Sequence, residues 1–431
     1  MSLRIPFNKV PWNKNIRNVF VYFFSSGFSR SIPFLLLPLL TRVLSPTDFG
    51  ILGITAVLVS MITPLITFYA PGYIYAHYFK LTQEELNHTL SVIVSLAVIM
   101  AYIITAIAVV LYFLGVLETA LPIWTILSII LMAFSMSMLN IAQTLNQIET
   151  RIKRYVTYEI SNAILISTMV VILVLVLGMK WEGRFLAGLA GNLVVGTAAL
   201  IYLIKSRLIS PTWNLASLKA FLGFSVPILP HVFGLWALNG IARLFLARFV
   251  SLDEAGYFQV AFQLTMILAL FYEAMFKVWN PFFYRHVTLG DSHYHVKRKL
   301  VRYSYYYIVG VLLFAAGFLL ISQILIHIFV YEKYAHSAMY LPWLVFGMAV
   351  YNVTRSFTGY LFHTGRTKLL GIATAISALT NVTLAFVLNR YHGPVGVAQA
   401  TFLAFTVHSF LIIALSLKSH PMPWLTSFRR V

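Results

Sequence analysis

The chain has 431 residues, of which 60% are hydrophobic and only 10% charged, and its formal net charge at pH 7 is +19. With a mean hydropathy of +0.84, this composition is far from that of a soluble globular domain and predicts a membrane protein. The absence of cysteine excludes a disulfide framework, a thiolate metal site and a cysteine nucleophile.

Apolar stretches long enough to cross a hydrocarbon core of about 30 Å follow one another along nearly the whole chain. Runs such as VVILVLVL at residues 170–177 do not alternate as the strands of a membrane barrel would, so the spans are helices. We therefore predict an all-α polytopic membrane protein, with about twelve transmembrane helices in two six-helix lobes around a central cavity. The predicted spans are 17–41, 50–76, 88–114, 120–143, 156–177, 185–204, 219–247, 256–283, 302–330, 337–362, 369–389 and 396–417.

The distribution of lysine and arginine predicts the orientation of these spans. If the N-terminus is cytoplasmic, the inner segments hold 21 of these residues and the outer segments hold six. This predicts an even number of spans and two cytoplasmic termini. Basic loops at a membrane surface face anionic lipid headgroups, so the net charge does not indicate nucleic-acid binding. The predicted division is a tail at 1–16, lobes at 17–210 and 211–418, and a second tail at 419–431.

A short pattern occurs twice, as TRVLSPTDFG at residues 41–50 after the first predicted span and as ARFVSLDEAGYFQVA at residues 247–261 after the seventh. A serine followed three residues later by an acid is an ordinary helix N-cap, so two similar helix starts explain part of the pattern. The equivalent positions of the copies favour a parallel repeat of six spans. The identities, 206 positions apart, are Leu40 and Leu246, Arg42 and Arg248, Ser45 and Ser251, and Gly50 and Gly256.

These two motifs resemble those of the Wzx-type polysaccharide flippases of the multidrug/oligosaccharidyl-lipid/polysaccharide exporter superfamily. The resemblance implies two lobes that rock about a fixed site, so that the site opens alternately to each side of the inner membrane. The implied substrate is an undecaprenyl-diphosphate-linked oligosaccharide, such as an O-antigen repeat unit for lipopolysaccharide biosynthesis. A polysaccharide polymerase and a chain-length regulator are candidate partners. The chain departs from the family pattern at Ala242 and Arg243, where relatives often have an Asp-Arg pair.

Four basic residues lie inside the predicted spans: Arg30, Arg243, Lys277 and Arg355. Intramembrane charge is costly, so each of these side chains faces a wet cavity, finds a partner or extends to the surface. Arg30 lies near the middle of its span and is predicted to face a cavity, although capping of carbonyls freed by nearby prolines is an alternative. The surplus of positive charge predicts an anionic substrate, and guanidinium groups suit the diphosphate of a lipid-linked sugar.

Glu273 is the one acid that we assign to the spans, and it stands one helical turn from Lys277, where the two side chains are predicted to form an ion pair. Whether that pair is structural or functional stays open. His231 and Glu273 are candidates for proton coupling or cavity lining, and a neutral, hydrogen-bonded His231 is the alternative. His327 and His408 are each expected to stand alone. No ligand spacing predicts a metal, and no motif predicts a cofactor.

Three other functions compete with the flippase. A multidrug cation antiporter of the same superfamily would be expected to place carboxylates in its cleft, and a peptidoglycan-precursor flippase usually has more spans. A membrane glycan polymerase or ligase generally holds catalytic residues on large external loops, whereas the predicted outer loops are short. The longest loop, 284–301, contains His286, His293 and His295 near Asp291, but it is basic and is predicted to be cytoplasmic. We therefore predict a transporter and no enzyme activity.

Overall fold

The computed structural model describes residues 27, 29, 32, 34–115, 121–209, 213–290, 294–366, 368–424 and 427. This part of the chain is helical and contains no strand, which confirms the all-α prediction. A π-helical turn, Val171–Val176, extends α6, and a 3-10 helix, Glu332–Met339, precedes α11. The α-helices are α1 (Leu37–Val43), α2 (Pro46–Thr67), α3 (Ala70–His77), α4 (Gln83–Phe113), α5 (Ile123–Ile148), α6 (Ile152–Val170), α7 (Trp181–Lys205), α8 (Leu215–Phe249), α9 (Leu252–Gly290), α10 (Tyr294–Phe329), α11 (Leu341–His363), α12 (Lys368–His392) and α13 (Pro394–Ser419).

Within the described residues, ten helices are long and apolar enough to cross a membrane: α2, α4 to α10, α12 and α13. The chain is therefore a multi-pass membrane protein. Of the other two predicted spans, 17–41 lies mostly outside the described residues. The span at 337–362 coincides with α11, which has 23 residues and contains Asn352 and Arg355. These polar side chains lower its hydropathy.

Two helices of the C-terminal half extend well beyond the predicted spans. Helix α9 has 39 residues and α10 has 36, so at about 1.5 Å per residue they are about 58 and 54 Å long. A hydrocarbon core is only about 30 Å thick. Their additional turns therefore lie in the headgroup region and in water, which explains why these turns are basic and aromatic.

The predicted span 50–76 is wrong as a single helix, because the chain breaks between α2 and α3. Phe68 and Tyr69 adopt left-handed backbone conformations, with φ of 47° and 58°. Pro71 has no amide proton, so a continuous helix would lose a hydrogen bond there. Starting a new helix at Ala70 places Pro71 in the first turn, where no such bond is required.

The N-caps expected from the repeated motif are present in both copies. Ser45 caps α2 through a capping box, in which its hydroxyl oxygen accepts from the Asp48 amide and the Asp48 carboxylate accepts from the Ser45 amide. In the second copy, the Ser251 hydroxyl oxygen accepts from the Glu254 amide at 3.1 Å. Both helices thus begin directly after the serine N-caps, four residues before the predicted spans 50–76 and 256–283 begin.

The two copies of the motif also pack directly against each other. A Cβ atom added to Gly50 would lie 2.1 Å from the Leu252 carbonyl oxygen, and one added to Gly256 would lie 1.9 Å from the Pro46 carbonyl oxygen. The Thr47 hydroxyl donates to the Asp253 carboxylate, which stands 206 positions further along the chain. The contact is reciprocal, so a pseudo-two-fold axis passes between the starts of α2 and α9.

The segment before α11 covers the same end of the bundle. The Tyr334 hydroxyl donates to the Leu44 carbonyl at 2.9 Å, and the Lys333 ammonium donates to the Arg42 carbonyl at 3.1 Å. Burial lowers the pKa of Lys333, and the nearby Asp48 acts in the opposite direction. The two halves of the chain are in contact at this end, which the charge distribution predicts to face outward. They also meet further along, where the Trp236 indole donates to the Val57 carbonyl at 3.0 Å and the Phe221 ring packs against Tyr73.

At the opposite end, a polar cluster joins helices of the N-terminal half. The Tyr78 hydroxyl donates to Glu149 at 2.9 Å, and Glu149 also pairs with Arg151. Arg151 donates to the Tyr202 hydroxyl at 2.6 Å, and the Arg154 guanidinium lies 4.0 Å from the centre of the Tyr202 ring. Burial, followed by the hydrogen bond to Glu149, raises the pKa of Tyr78 to about 12. Tyr78 therefore keeps its proton at neutral pH and remains a donor.

Candidate functional site

Arg243 lies near the end of α8, and only 7% of its surface is exposed. Its guanidinium donates to the Gln259 side-chain oxygen and to the Asn239 carbonyl, each at 2.9 Å, and stands 4.4 Å from the centre of the Phe262 ring. These three groups are uncharged. Among the described residues no carboxylate pairs with Arg243, and its Nε has no hydrogen-bond partner.

The partner of Arg243 lies where the halves meet. Gln259 is on α9, and a Cβ atom added to Gly53 of α2 would lie 3.3 Å from the Gln259 Cβ atom. Gln259 also lines a cavity of about 150 Å³ together with Leu52, Thr55 and other residues of the N-terminal half. The Arg243 guanidinium is therefore held beside the boundary between the halves, by neutral groups that leave its charge uncompensated.

A second buried cation lies within the C-terminal half. The Arg355 guanidinium on α11 pairs with the Glu273 carboxylate on α9 at 2.9 Å. It also stands 3.9 Å from the centre of the Phe276 ring and 3.4 Å from the Asn352 side-chain oxygen. The pair is partly exposed, with 24% of the Arg355 side chain and 34% of the Glu273 side chain accessible.

The expected ion pair between Glu273 and Lys277 is wrong. Glu273 pairs with Arg355 instead, and Lys277 is exposed. The spacing placed both side chains on one face of α9 correctly. Arg355, on another helix, has a planar guanidinium that pairs with the carboxylate and also packs against an aromatic ring. The ammonium group of Lys277, four residues from Glu273, cannot make both contacts.

His231 lies in α8, and its Nδ1 is 2.8 Å from the Thr374 hydroxyl oxygen on α12. That hydroxyl donates its own proton to the Leu370 carbonyl at 2.6 Å, so it accepts from His231, whose Nδ1 bears the proton. His408 on α13 is buried, and its Nδ1 has no hydrogen-bond partner among the described residues.

Arg30, the deepest cation predicted from the sequence, lies outside the described residues. Its neighbour Ser29 is described, and the Ser29 hydroxyl donates to the Glu159 carbonyl at 3.3 Å. Arg30 therefore remains a candidate by its sequence position alone.

The sequence reasoning missed two charged residues, Glu159 and Arg184, which line one cavity of about 260 Å³ in the N-terminal half. Glu159 falls inside the predicted span 156–177, so counting the acids span by span would have found it. Arg184 directly precedes the predicted span 185–204, so the sequence predicts that it lies in a loop. Helix α7 begins at Trp181, so Arg184 belongs to the first turn of the membrane helix.

The described residues contain no group of three or more histidine, aspartate or glutamate side chains that could hold a metal ion. The site as described consists of intramembrane cations, amide side chains and aromatic rings. Such groups can bind an anion and hydroxyl groups.

The fold is that of a known class of membrane transporters. It is similar to the structure titled "Lipid II flippase MurJ, inward closed conformation", with a TM-score of 0.72 and 16% identity over 94% of this chain and 90% of that one. It is also similar to an inward-facing multidrug resistance MATE family transporter of the MOP superfamily, with a TM-score of 0.62 and 16% identity over 90% of this chain and 94% of that one.

Sequence comparison then gives the family. Residues 16–287, more than half of the chain, match the family described as "Polysaccharide biosynthesis protein", and the chain belongs to that family. It is also 23% identical over 278 residues to "Lsg locus putative protein 1" of Haemophilus influenzae. That match covers 63% of this chain and 66% of the relative's length. Together, these findings support the resemblance to polysaccharide flippases of the MOP superfamily, and both the family and the fold are those of transporters.

Proposed function

We propose that the protein translocates an undecaprenyl-diphosphate-linked oligosaccharide from the cytoplasmic to the outer leaflet of the inner membrane by alternating access. The observation that carries this proposal is Arg243, a buried guanidinium whose described partners are all neutral. An uncompensated charge inside a membrane protein is costly unless a ligand completes its environment. Phosphate oxygens match the planar donors of a guanidinium group.

The position of Arg243 supports transport. It lies beside the contact between the two halves, through Gln259, so a ligand bound there would be affected by any separation of the halves. In the structure the halves are in contact at the end where Gly50 meets Leu252. Alternating access requires this contact to open in a second state, which would release the lipid-linked headgroup on that side.

The distribution of lysine and arginine supports the orientation of the protein and the direction of transport that we propose. With the predicted cytoplasmic termini, the contact between the motif copies would lie on the outer side of the membrane. The headgroup would enter from the cytoplasm, where lipid-linked oligosaccharides such as O-antigen units are assembled, and the polyprenol would remain in lipid. Enzyme chemistry is not required for this step. A polymerase and a chain-length regulator would act on the product at the outer surface.

Reconstituted transport tests the proposal. The purified protein would be placed in liposomes with the lipid-linked oligosaccharide of its host, and the fraction reaching the opposite leaflet would be measured with a lectin. We expect the Arg243→Ala variant to lose about ten- to a hundredfold in rate, because it removes a charge-assisted hydrogen bond. Arg243→Lys should be intermediate, because an ammonium group retains the charge without the planar fork.

Arg390→Ala is the matched control, because Arg390 is exposed at the end of α12. It should transport at the wild-type rate. The proposal fails if the wild-type protein does not move the lipid, and it also fails if Arg243→Ala transports normally. Export of cationic dyes without any transport of the lipid would instead establish the multidrug antiporter.

A further inference from the structure

Two cavities share one lining residue, Arg184: the larger is lined by the N-terminal half, and the smaller lies between that half and Gln259 and Gln263 of α9. Their volumes are about 260 Å³ and about 150 Å³. Since a water molecule occupies about 30 Å³ in the liquid, the larger cavity corresponds to about nine waters. That is the size of a sugar ring rather than of a single dehydrated ion.

The polar lining of the larger cavity consists of four side-chain amides, two serine hydroxyls, one carboxylate and one guanidinium. Among the described lining residues the two charges are of opposite sign and balance each other. Amides, carboxylates and guanidinium groups together supply both donors and acceptors, as the hydroxyl groups of a sugar require. Besides Ser29 and Ser167, the polar lining residues are Asn140, Gln143, Glu159, Asn162, Arg184 and Asn192.

Each cavity is lined by one amide residue whose side-chain oxygen is buried and lacks a hydrogen-bond partner within the described part of the chain. This residue is Asn162 at the larger cavity and Gln263 at the smaller, and a small rotation of either amide would turn its oxygen toward a guest. The Asn162 amide nitrogen is 3.5 Å from the Asn192 oxygen, and the Asn192 nitrogen donates to the Gly188 carbonyl at 2.8 Å. Leaving a buried acceptor unpaired is unfavourable, so a polar guest that donates a proton would stabilise both sites.

Apolar side chains complete the larger cavity. Met136, Leu139 and Ile166 line it together with the amides. A pyranose has hydroxyl groups around its edge and C–H groups on its faces, so this mixture of amide and aliphatic surface is complementary to it.

The cavities are also connected to the proposed phosphate site. Gln259 lines the smaller cavity and accepts the hydrogen bond from Arg243, while Arg184 lines both cavities. Polar groups therefore follow one another from Arg243 into the N-terminal half. A molecule in which a phosphate adjoins a sugar would present its groups in that order.

We propose that these two cavities bind the sugars nearest the diphosphate of the lipid-linked oligosaccharide. The proposal rests on the proposed function and assigns a separate part of the substrate to a separate part of the protein: the diphosphate to Arg243 and the sugars to the amides of α5, α6 and α7.

Equilibrium binding to the purified full-length protein in nanodiscs tests this division with two probes. One probe is the lipid-linked oligosaccharide extracted from the host, and the other is undecaprenyl diphosphate without sugar. We expect Asn162→Leu to weaken binding of the first probe about five- to tenfold, and to change binding of the second less than twofold, because only the sugar loses a hydrogen bond. Arg243→Ala should weaken binding of both probes.

Asn389→Leu is the matched control, because the Asn389 oxygen is also buried without a partner but lies in α12. It should bind both probes as the wild type does. If Asn162→Leu does not fold into a monodisperse protein, Gln143→Leu replaces it, with the same expected difference between the probes.

The outcomes separate the two proposals. A wild-type protein that binds neither probe contradicts the proposed function. A wild-type protein that binds both, together with an Asn162→Leu variant that binds both normally or loses both equally, overturns the sugar site and leaves the phosphate site in place.

Discussion

Arg243 and Arg355 are both buried guanidinium groups in membrane helices, but their surroundings differ. Arg355 has a carboxylate partner in Glu273, so the pair is nearly neutral. Among the described residues, Arg243 has only neutral partners and keeps its charge. We therefore propose different tasks for the two residues: Arg243 receives the anionic substrate, whereas Arg355 ties α11 to α9.

Swapping the acid and the base between positions 273 and 355 tests whether the ion pair serves stability, transport or both. We expect Glu273→Ala and Arg355→Ala each to lower stability by about 1 to 3 kcal/mol, less than for a fully buried pair, because both side chains are partly exposed. The double variant Glu273→Arg/Arg355→Glu should recover most of that loss. Thermal unfolding in detergent measures both effects.

Transport by the exchanged double variant then shows what the pair does. If the pair is structural, transport should recover together with stability. Recovery of stability without transport would contradict that interpretation and show that the position of the guanidinium matters to the substrate.

At the scale of elements, α2 and α9 begin side by side, with glycine at the closest approach. The absence of a side chain at Gly50 and Gly256 lets each backbone lie against the carbonyl of the other helix. Above this contact, Thr47 bonds to Asp253, and Tyr334 covers the end of α1. The contact at these two helix starts is made by backbone and polar groups, and beside it a buried apolar cluster that includes Leu44, Phe49, Ala255 and Phe258 joins the halves.

Cross-linking can trap this contact. The natural chain has no cysteine, so Thr47→Cys/Asp253→Cys can be oxidised without competing thiols. We expect a disulfide to form, transport to stop on oxidation, and transport to return on reduction. Transport that continues at full rate in the cross-linked protein would show that the contact does not need to open.

A methyl group at the same place should weaken the contact. In Gly50→Ala the new Cβ atom would collide with the Leu252 carbonyl, and overpacking of this kind costs about 1 to 3 kcal/mol. The cross-linking yield of the cysteine pair should fall accordingly. Gly371→Ala is the control, because a Cβ atom there meets no atom within 4 Å, and its yield should be unchanged.

At the scale of the whole molecule, the features that depend on local sequence could be predicted and those that depend on packing could not. The apolar stretches predicted the helices, and Ser45 and Ser251 predicted their starts. The partner of Glu273 is 82 positions away on another helix, so spacing along α9 could not identify it. Glu159 and Arg184 acquire a shared role only when α6 and α7 enclose a cavity.

The orientation of the molecule is still a prediction, and reporter fusions test it. Both termini are expected in the cytoplasm because the predicted inner segments hold 21 lysine and arginine residues against six. A fluorescent protein fused to the C-terminus should therefore fold and fluoresce. Alkaline phosphatase fused after residue 178, in a predicted outer loop, should be active. The reverse pattern would place both termini outside.

The reciprocal contact around Gly50 and Gly256 has the form of an interface between two copies of a half-length protein. In a dimer of identical halves, every position on the axis would face itself, and an acid would have to stand against an acid. In a single chain the two copies are free to diverge. Thr47 now donates to Asp253 across the axis. A dimer of identical halves could not form this pair, because it would have the same residue at both positions.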